Sequence, residues 1–326
     1  MEHSMTQSGL GAAVVIHPLD PEDASTIDRI RAAVRAQKGV RWRIEARKAY
    51  DALLESVSAP DDVTFEPGTV GDVSGVWVYP ASSRPDQAIL HFHGGWFHAG
   101  SATAYRHLVG HIAARAATKA FVPDYRLAPE HPFPAAVYDA LATYRGMDDS
   151  GIRRIAVTGD SAGGNLALVL ASCVSAKEVA AKAILVGTAA LSPVTDLTLS
   201  GASYETRAEA DPFFTKQQVA ELVRSYLGSV DANDPLASPL QGRLSGLPPI
   251  RIHVGDDEVL LDDSRRYVER AVAAGVDARL DVWTGMPHGF VASIGTVKAS
   301  AQALGAIGTF LTERLQADVG HSLSGT

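Results

Sequence analysis

Apolar and polar positions along this chain change period several times, and the changes divide it. Between Glu22 and Gln37, Ile27, Ile30 and Val34 recur at helical spacing. A second helical pattern runs from Val40 to Val57, with Trp42, Ala46, Ala49, Leu53 and Leu54 on one face and Gly39 as the break between the two. From 62 to 80 the period becomes that of strands. Val63, Phe65, Val70, Val73, Val76, Val78 and Tyr79, cut by Gly68, Gly71 and Gly75, predict two strands joined by a turn. Short apolar runs at 88–92, 120–123, 155–158, 183–186, 250–254 and 278–283 then read as buried strands. Between and after them, helices are expected at 103–117, from near Ala135, across Leu166–Ala171, at 262–274 and at 296–315. Such alternation predicts a mostly parallel sheet with helices on both faces.

Residues 196–247 interrupt the alternation with a polar loop, a helical pattern from Lys216 to Leu227 and a Pro- and Asp-rich return. Residues 1–20 read as loosely ordered, and the tail from Asp318 as disordered. The expected division is therefore N-terminal helices over 1–58, a first core part over 59–196, an insertion over 197–247, a second core part over 248–317 and a tail over 318–326.

Composition narrows the function classes. The chain has 326 residues, 46% of them apolar and 20% charged, as in an ordinary globular protein. A formal charge of −8 offers no basic footprint, so neither nucleic acid nor an anionic membrane surface is an expected partner. The single cysteine, Cys173, lies in a helical run of small apolar residues and reads as a packing thiol. No secretory signal pattern opens the chain and no stretch of eighteen apolar residues occurs, so a cytoplasmic location is expected.

The chemistry centres on Gly159-Asp160-Ser161-Ala162-Gly163-Gly164-Asn165, between a strand pattern and a helix pattern. A serine between two glycines on such a turn is the nucleophile-elbow pattern, and Ser161 is expected to attack carbonyl carbon. A serine hydroxyl needs a base. His288, in Gly285-Met286-Pro287-His288-Gly289-Phe290, follows the last strand and comes last in the chain order nucleophile, acid, histidine. The acid should follow the preceding strand, where Gly255-Asp256-Asp257-Glu258-Val259-Leu260-Leu261-Asp262-Asp263 offers five carboxylates. Asp262 and Asp263 suit capping of the next helix. Asp256, Asp257 and Glu258 remain candidates to orient the imidazole. The backbone amides of Gly94, Gly95 and Ala162 are expected to form an oxyanion hole, with His93 anchoring the loop. All of these positions fall at carboxyl ends of predicted strands, where open parallel sheets bind their ligands. The histidines at 91, 93, 98, 107 and 111 lack the spacing of a metal site, and no metal or other cofactor is expected.

His93-Gly94-Gly95, Tyr125-Arg126-Leu127-Ala128-Pro129-Glu130, Gly159-Asp160-Ser161-Ala162-Gly163-Gly164 and Met286-Pro287-His288-Gly289-Phe290 together resemble the hormone-sensitive-lipase-like branch of the α/β-hydrolases, from about residue 85 onward. The resemblance implies an eight-stranded sheet under a helical cap built from the N-terminal helices and the insertion. It also implies an esterase activity. Aligning that family's acid string, D-P-L-R-D-E-G, places the acid at Glu258, with Asp257 as the alternative. The family's third loop glycine is Trp96 here. The combined motifs are similar to the subgroup of monoterpene ε-lactone hydrolases, which implies a short-chain ester or a small apolar lactone as substrate. Trp96, Phe97, Phe214, Val259, Leu260 and Met286 are then the expected pocket walls. A homodimer is expected by analogy alone. A non-catalytic receptor on the same fold and an amide or carbamate hydrolase are the competing readings; intact Ser161 and His288 weigh against the first.

Overall fold

The computed structural model describes residues 13–317. Nine strands form one sheet in the order β1-β9-β8-β7-β6-β4-β5-β3-β2. In chain order these are β1 (Val14–His17), β2 (Val63–Val70), β3 (Val73–Pro80), β4 (Gln87–Phe92), β5 (Ala120–Pro123), β6 (Arg154–Asp160), β7 (Ile184–Leu191), β8 (Ile250–Gly255) and β9 (Ala278–Trp283). Only β3 runs against the rest, through its antiparallel pairings with β2 and β5. The helices are α1 (Pro21–Val34), α2 (Ala46–Glu55), α3 (Ala102–Ala116), α4 (Ala135–Asp149), α5 (Ala162–Ser175), α6 (Ser203–Thr206), α7 (Lys216–Leu227), α8 (Leu261–Ala273) and α9 (Lys298–Gln316).

Each sheet face carries its own core. Helices α4, α5, α7 and α8 cover one through Leu166, Leu168, Tyr144, Val223 and Tyr267, against Leu90, Phe92 and Val157. Helices α3 and α9 cover the other through Leu108, Ile112, Leu304 and Leu311, against Ile89 and Ala156. Helix α5 is apolar on all sides because sheet and helices enclose it. Each fully buried leucine or valine there contributes about 1.5–3 kcal/mol from lost water contact alone.

Four local expectations are corrected. Residues 14–17 form the ninth strand, parallel to β9, where eight strands and a loose N-terminus were expected. Four residues are too few to show an alternation; the partner strand supplies the order, and His17 stacks on Trp283 at 3.9 Å and bonds Asp281 at 2.7 Å. The expectations for residues 1–12 and 318–326 lie outside the described residues. Helix α2 starts at Ala46 rather than Val40, because the Val40 carbonyl is held by the Gln218 side chain at 2.7 Å. Helix α9 starts at Lys298, where the Asp23 carboxylate accepts from the Lys298 and Ala299 amides at 2.7 and 3.0 Å, a cap donated from α1. Asp262 and Asp263 do not cap α8, whose N-cap is Leu260 without a side-chain bond. They turn back to the loop after β7 instead: Asp263 accepts from the Thr195 and Asp196 amides at 2.7 and 2.9 Å, and Asp262 from the Ser203 amide at 2.9 Å.

The N-terminal helices reach across to the insertion. Lys38 Nζ donates to the carbonyls of Ala208 and Asp211 at 2.5 and 2.6 Å, and Arg31 donates to that of Ala210 at 3.1 Å. Among the described residues, no helix is long and apolar enough to cross a membrane.

Candidate active site

Strand order brings the chemistry together. Strands β9, β8, β7, β6 and β4 are adjacent and parallel, so their carboxyl ends share one edge. In that order the edge carries the loops of His288, Glu258, Ser192, Ser161 and His93-Gly94-Gly95.

Ser161 stands between β6 and α5 with φ +54° and ψ −118°, outside the regions most side chains adopt. The glycines on either side permit this turn. A Cβ at Gly159 would overlap the Gly163 carbonyl, and one at Gly163 would overlap the Phe92 carbonyl of the neighbouring strand. The Ser161 amide donates to Leu191 O at 2.8 Å, and its carbonyl accepts from Asn165 N at 3.1 Å. The serine is buried to 3% exposure.

His288 Nδ1 lies 2.7 Å from Glu258 Oε2. Glu258 is fully buried, and its other oxygen accepts from the Ser192 hydroxyl and the Gly255 amide, both at 2.7 Å. A carboxylate that only accepts requires the proton on Nδ1 and leaves the Nε2 lone pair of the neutral ring free. Burial pushes the His288 pKa down. The Glu258 charge and hydrogen bond, with the charges of Asp211 and Asp160, outweigh that and leave it above the ordinary imidazole value.

The other two carboxylates of the string serve the scaffold. Asp257 pairs with Arg31 of α1. Asp256 accepts from the Gly285 amide at 2.6 Å and so ties the acid loop to the histidine loop.

On the far side of Ser161, His93 is fully buried. It stacks on Tyr125 at 4.2 Å, and its Nδ1 donates to Gly94 O at 2.8 Å. Gly95 has φ +112°, and a Cβ there would overlap the Ala99 carbonyl. Among the described residues, the amides of Gly94, Gly95 and Ala162 find no protein acceptor, the Ala162 amide being one of the first-turn donors of α5. Beneath the loop, Tyr50 and Tyr105 share a bond at 2.7 Å and Tyr105 donates to Asp160 at 3.0 Å, so α2 is tied to the elbow.

Of the six expected pocket walls, one meets the histidine and a second packs on the first. Phe214 meets the His288 ring edge-on at 5.2 Å and 77°, and Trp96 meets Phe214 at 5.5 Å and 81°. Trp96 and Phe97 both take positive φ, 54° and 63°, in the space where a glycine would be relaxed. The other four, Phe97, Val259, Leu260 and Met286, are no more than 1% exposed. Phe97 stacks on Tyr226 at 3.9 Å; Val259 and Leu260 pack in the α5 core and Met286 in the α9 core.

Sequence reasoning missed two polar side chains here. Ser192 directly follows β7, at the same kind of strand end that carries Ser161. Asp211 sits in the insertion, fully buried, and holds the amides of Phe214 and Val259; no spacing in the chain marks it.

Residues 89–292, more than half of the chain, match the family model described as alpha/beta hydrolase fold. An acetyl-hydrolase of Streptomyces hygroscopicus is 36% identical over 252 residues, covering 75% of this chain and 82% of that one. An esterase of Acinetobacter venetianus is 33% identical over 269 residues, covering 82% and 88%. The crystal structure of an esterase from the bacterial hormone-sensitive lipase family superposes with TM-score 0.84 at 37% identity, over 91% of this chain and 99% of that one. The chain belongs to the α/β-hydrolase family, on its hormone-sensitive-lipase-like branch.

Proposed function

We propose that this chain is a serine carboxylic-ester hydrolase that cleaves short-chain esters or small apolar lactones through an acyl-enzyme. Ser161 is the nucleophile, His288 the base, Glu258 the acid that orients it, and the Gly94, Gly95 and Ala162 amides the oxyanion hole. The observation that carries this reading is the 2.7 Å bond from His288 Nδ1 to a buried carboxylate, on the sheet edge that also holds the strained serine.

The reaction has two halves. His288 Nε2 takes the Ser161 proton as Oγ adds to the carbonyl carbon, and the three amides receive the charge that develops on the carbonyl oxygen. The imidazolium, held by Glu258, protonates the departing alkoxide. Water then adds to the acyl-enzyme with His288 again as base, and the acid leaves. In a lactone the alkoxide stays tethered, and the product is a single hydroxy acid. Trp96 and Phe214 form the apolar wall beside His288 and favour a compact acyl group. The N-terminal helices and the 197–247 insertion act together as the cap, joined through Lys38, Arg31 and Gln218.

Ser161→Ala is expected to abolish hydrolysis of p-nitrophenyl butyrate while its circular dichroism stays that of the parent. Retained activity overturns the mechanism. A panel of acyl chain lengths and small lactones separates the two substrate classes, and turnover of neither overturns the substrate assignment.

A further inference from the structure

Asp211 lies between α6 and α7, in the insertion, and is fully buried. One carboxylate oxygen accepts from the amides of Phe213 and Phe214 at 2.8 and 2.9 Å. The other accepts from the amide of Val259, the residue after Glu258, at 2.9 Å. One side chain therefore fastens the turn that carries Phe214 to the loop that carries the proposed acid. Among the described residues, no lysine or arginine pairs with this carboxylate; Lys38 bonds the Asp211 carbonyl instead, at 2.6 Å. A buried charge without a fixed counter-charge is costly unless amides and a nearby positive group offset it. Two positive groups are near: Lys38, held on the Asp211 carbonyl, and His288, which becomes positive during the reaction and whose ring lies against the Phe214 that Asp211 holds.

We propose that Asp211 is a positioning residue for the proposed triad: through its bonds to the Phe213, Phe214 and Val259 amides it seats Phe214 against His288 and fixes the backbone after Glu258. The inference rests on that triad assignment. The charged groups acting on His288 are Glu258, Asp211 and Asp160. Those near Asp211 are His288, the Lys38 ammonium on the Asp211 carbonyl, the Arg31 guanidinium on the neighbouring Ala210 carbonyl and, through its phenol, Tyr204.

The sign of a pH shift separates this role from a merely structural one. Asp211 raises the His288 pKa, whereas burial lowers it. Loss of the charge alone moves the acidic limb of kcat/KM to lower pH. Loosening of the insertion lets water reach the ring and moves the limb to higher pH. The experiment follows p-nitrophenyl butyrate hydrolysis by the full chain across the acidic and neutral range. Asp211→Asn is expected to lower kcat by about tenfold or more, since small misplacements of reacting groups cost up to about a hundredfold, and to move the limb down. Asp211→Glu keeps the charge and is expected to keep the limb in place. Asp211→Ser carries the same test should the amide variant not fold. An unmoved or raised limb in Asp211→Asn or Asp211→Ser overturns the proposal. So does failure of both to fold, which would leave Asp211 a purely structural role. His288→Ala tells the two readings apart: if it stays active the triad itself fails, and if it is inactive while the limb does not move, only the Asp211 proposal fails.

Discussion

Glu258→Gln is the most discriminating change at the proposed triad, because the geometry says what the amide will do. Three donors converge on the Glu258 carboxylate: the Ser192 hydroxyl and the Gly255 amide on one oxygen, and His288 Nδ1 on the other, each at 2.7 Å. A glutamine must keep its oxygen toward Ser192 and Gly255, since both are donors. Its NH2 group then faces His288 Nδ1, which must become the acceptor. The ring proton moves to Nε2, the nitrogen that has to take the proton of Ser161. The fold loses little, but the base is in the wrong tautomer. The equivalent Asp→Asn change in the chymotrypsin triad, a worked example of this effect, lowers kcat about 10⁴-fold, and a loss of that order, about 5.5 kcal/mol in barrier, is expected here.

Asp257→Asn is the control. Its carboxylate pairs with Arg31, and both side chains are partly exposed, at 19% and 30%. Pairs of that kind contribute about 0–1 kcal/mol, so kcat should stay within about fivefold of the parent. Initial rates on p-nitrophenyl butyrate, with circular dichroism melts to show that each variant is folded, make the comparison. A larger loss in Asp257→Asn than in Glu258→Gln would move the acid to Asp257 and refute the tautomer argument.

Three further outcomes are expected. The acidic limb of kcat/KM should lie above the ordinary imidazole pKa of about 6.5, because the base must be neutral and the Glu258 charge and bond, with Asp211 and Asp160, outweigh burial at His288; a limb at or below that value contradicts the balance. The same group gives stability that is fully present below its unfolded pKa and lost as pH rises through the raised folded one. Trp96→Gly should relieve a positive-φ residue and open the wall beside Phe214, so acyl groups longer than butyrate gain in kcat/KM relative to acetate; an unchanged chain-length profile removes Trp96 from the pocket. Gly163→Ala forces a Cβ onto the Phe92 carbonyl oxygen, and a loss of stability of about 1–3 kcal/mol with a larger loss of activity is expected in denaturant titration and rate assays.

The central strands and the three proposed triad residues were legible in the sequence for one physical reason. A parallel strand buried on both faces is a continuous apolar run, and its carboxyl end is where the run stops and polar or glycine residues begin. Gly94, Ser161, Glu258 and His288 all follow such stops. Features held by distant partners were not legible. Strand β1 exists because β9 offers a parallel edge, α9 starts where Asp23 caps it, and Asp263 serves the loop after β7 rather than its own helix. In each case the determining bond joins residues far apart in the chain.

The deep burial of four expected pocket residues has a related cause. Val259, Leu260 and Met286 neighbour Glu258 and His288 in the chain, and Phe97 follows Trp96. A side chain next to one that points into a site usually points away from it, because backbone direction alternates at a strand end and the first helical turn rotates each residue by about a quarter of a circle. Val259 and Leu260 accordingly face the core from the start of α8, and Phe97 lies behind Trp96 against Tyr226. Phe214, which does meet the His288 ring, and Asp211, which holds the Phe214 amide, come from the insertion, more than forty positions before Glu258. The insertion is therefore part of the proposed site. Substrate preference in this chain should respond to changes between α6 and α7 more strongly than to changes in the acid loop beyond Glu258.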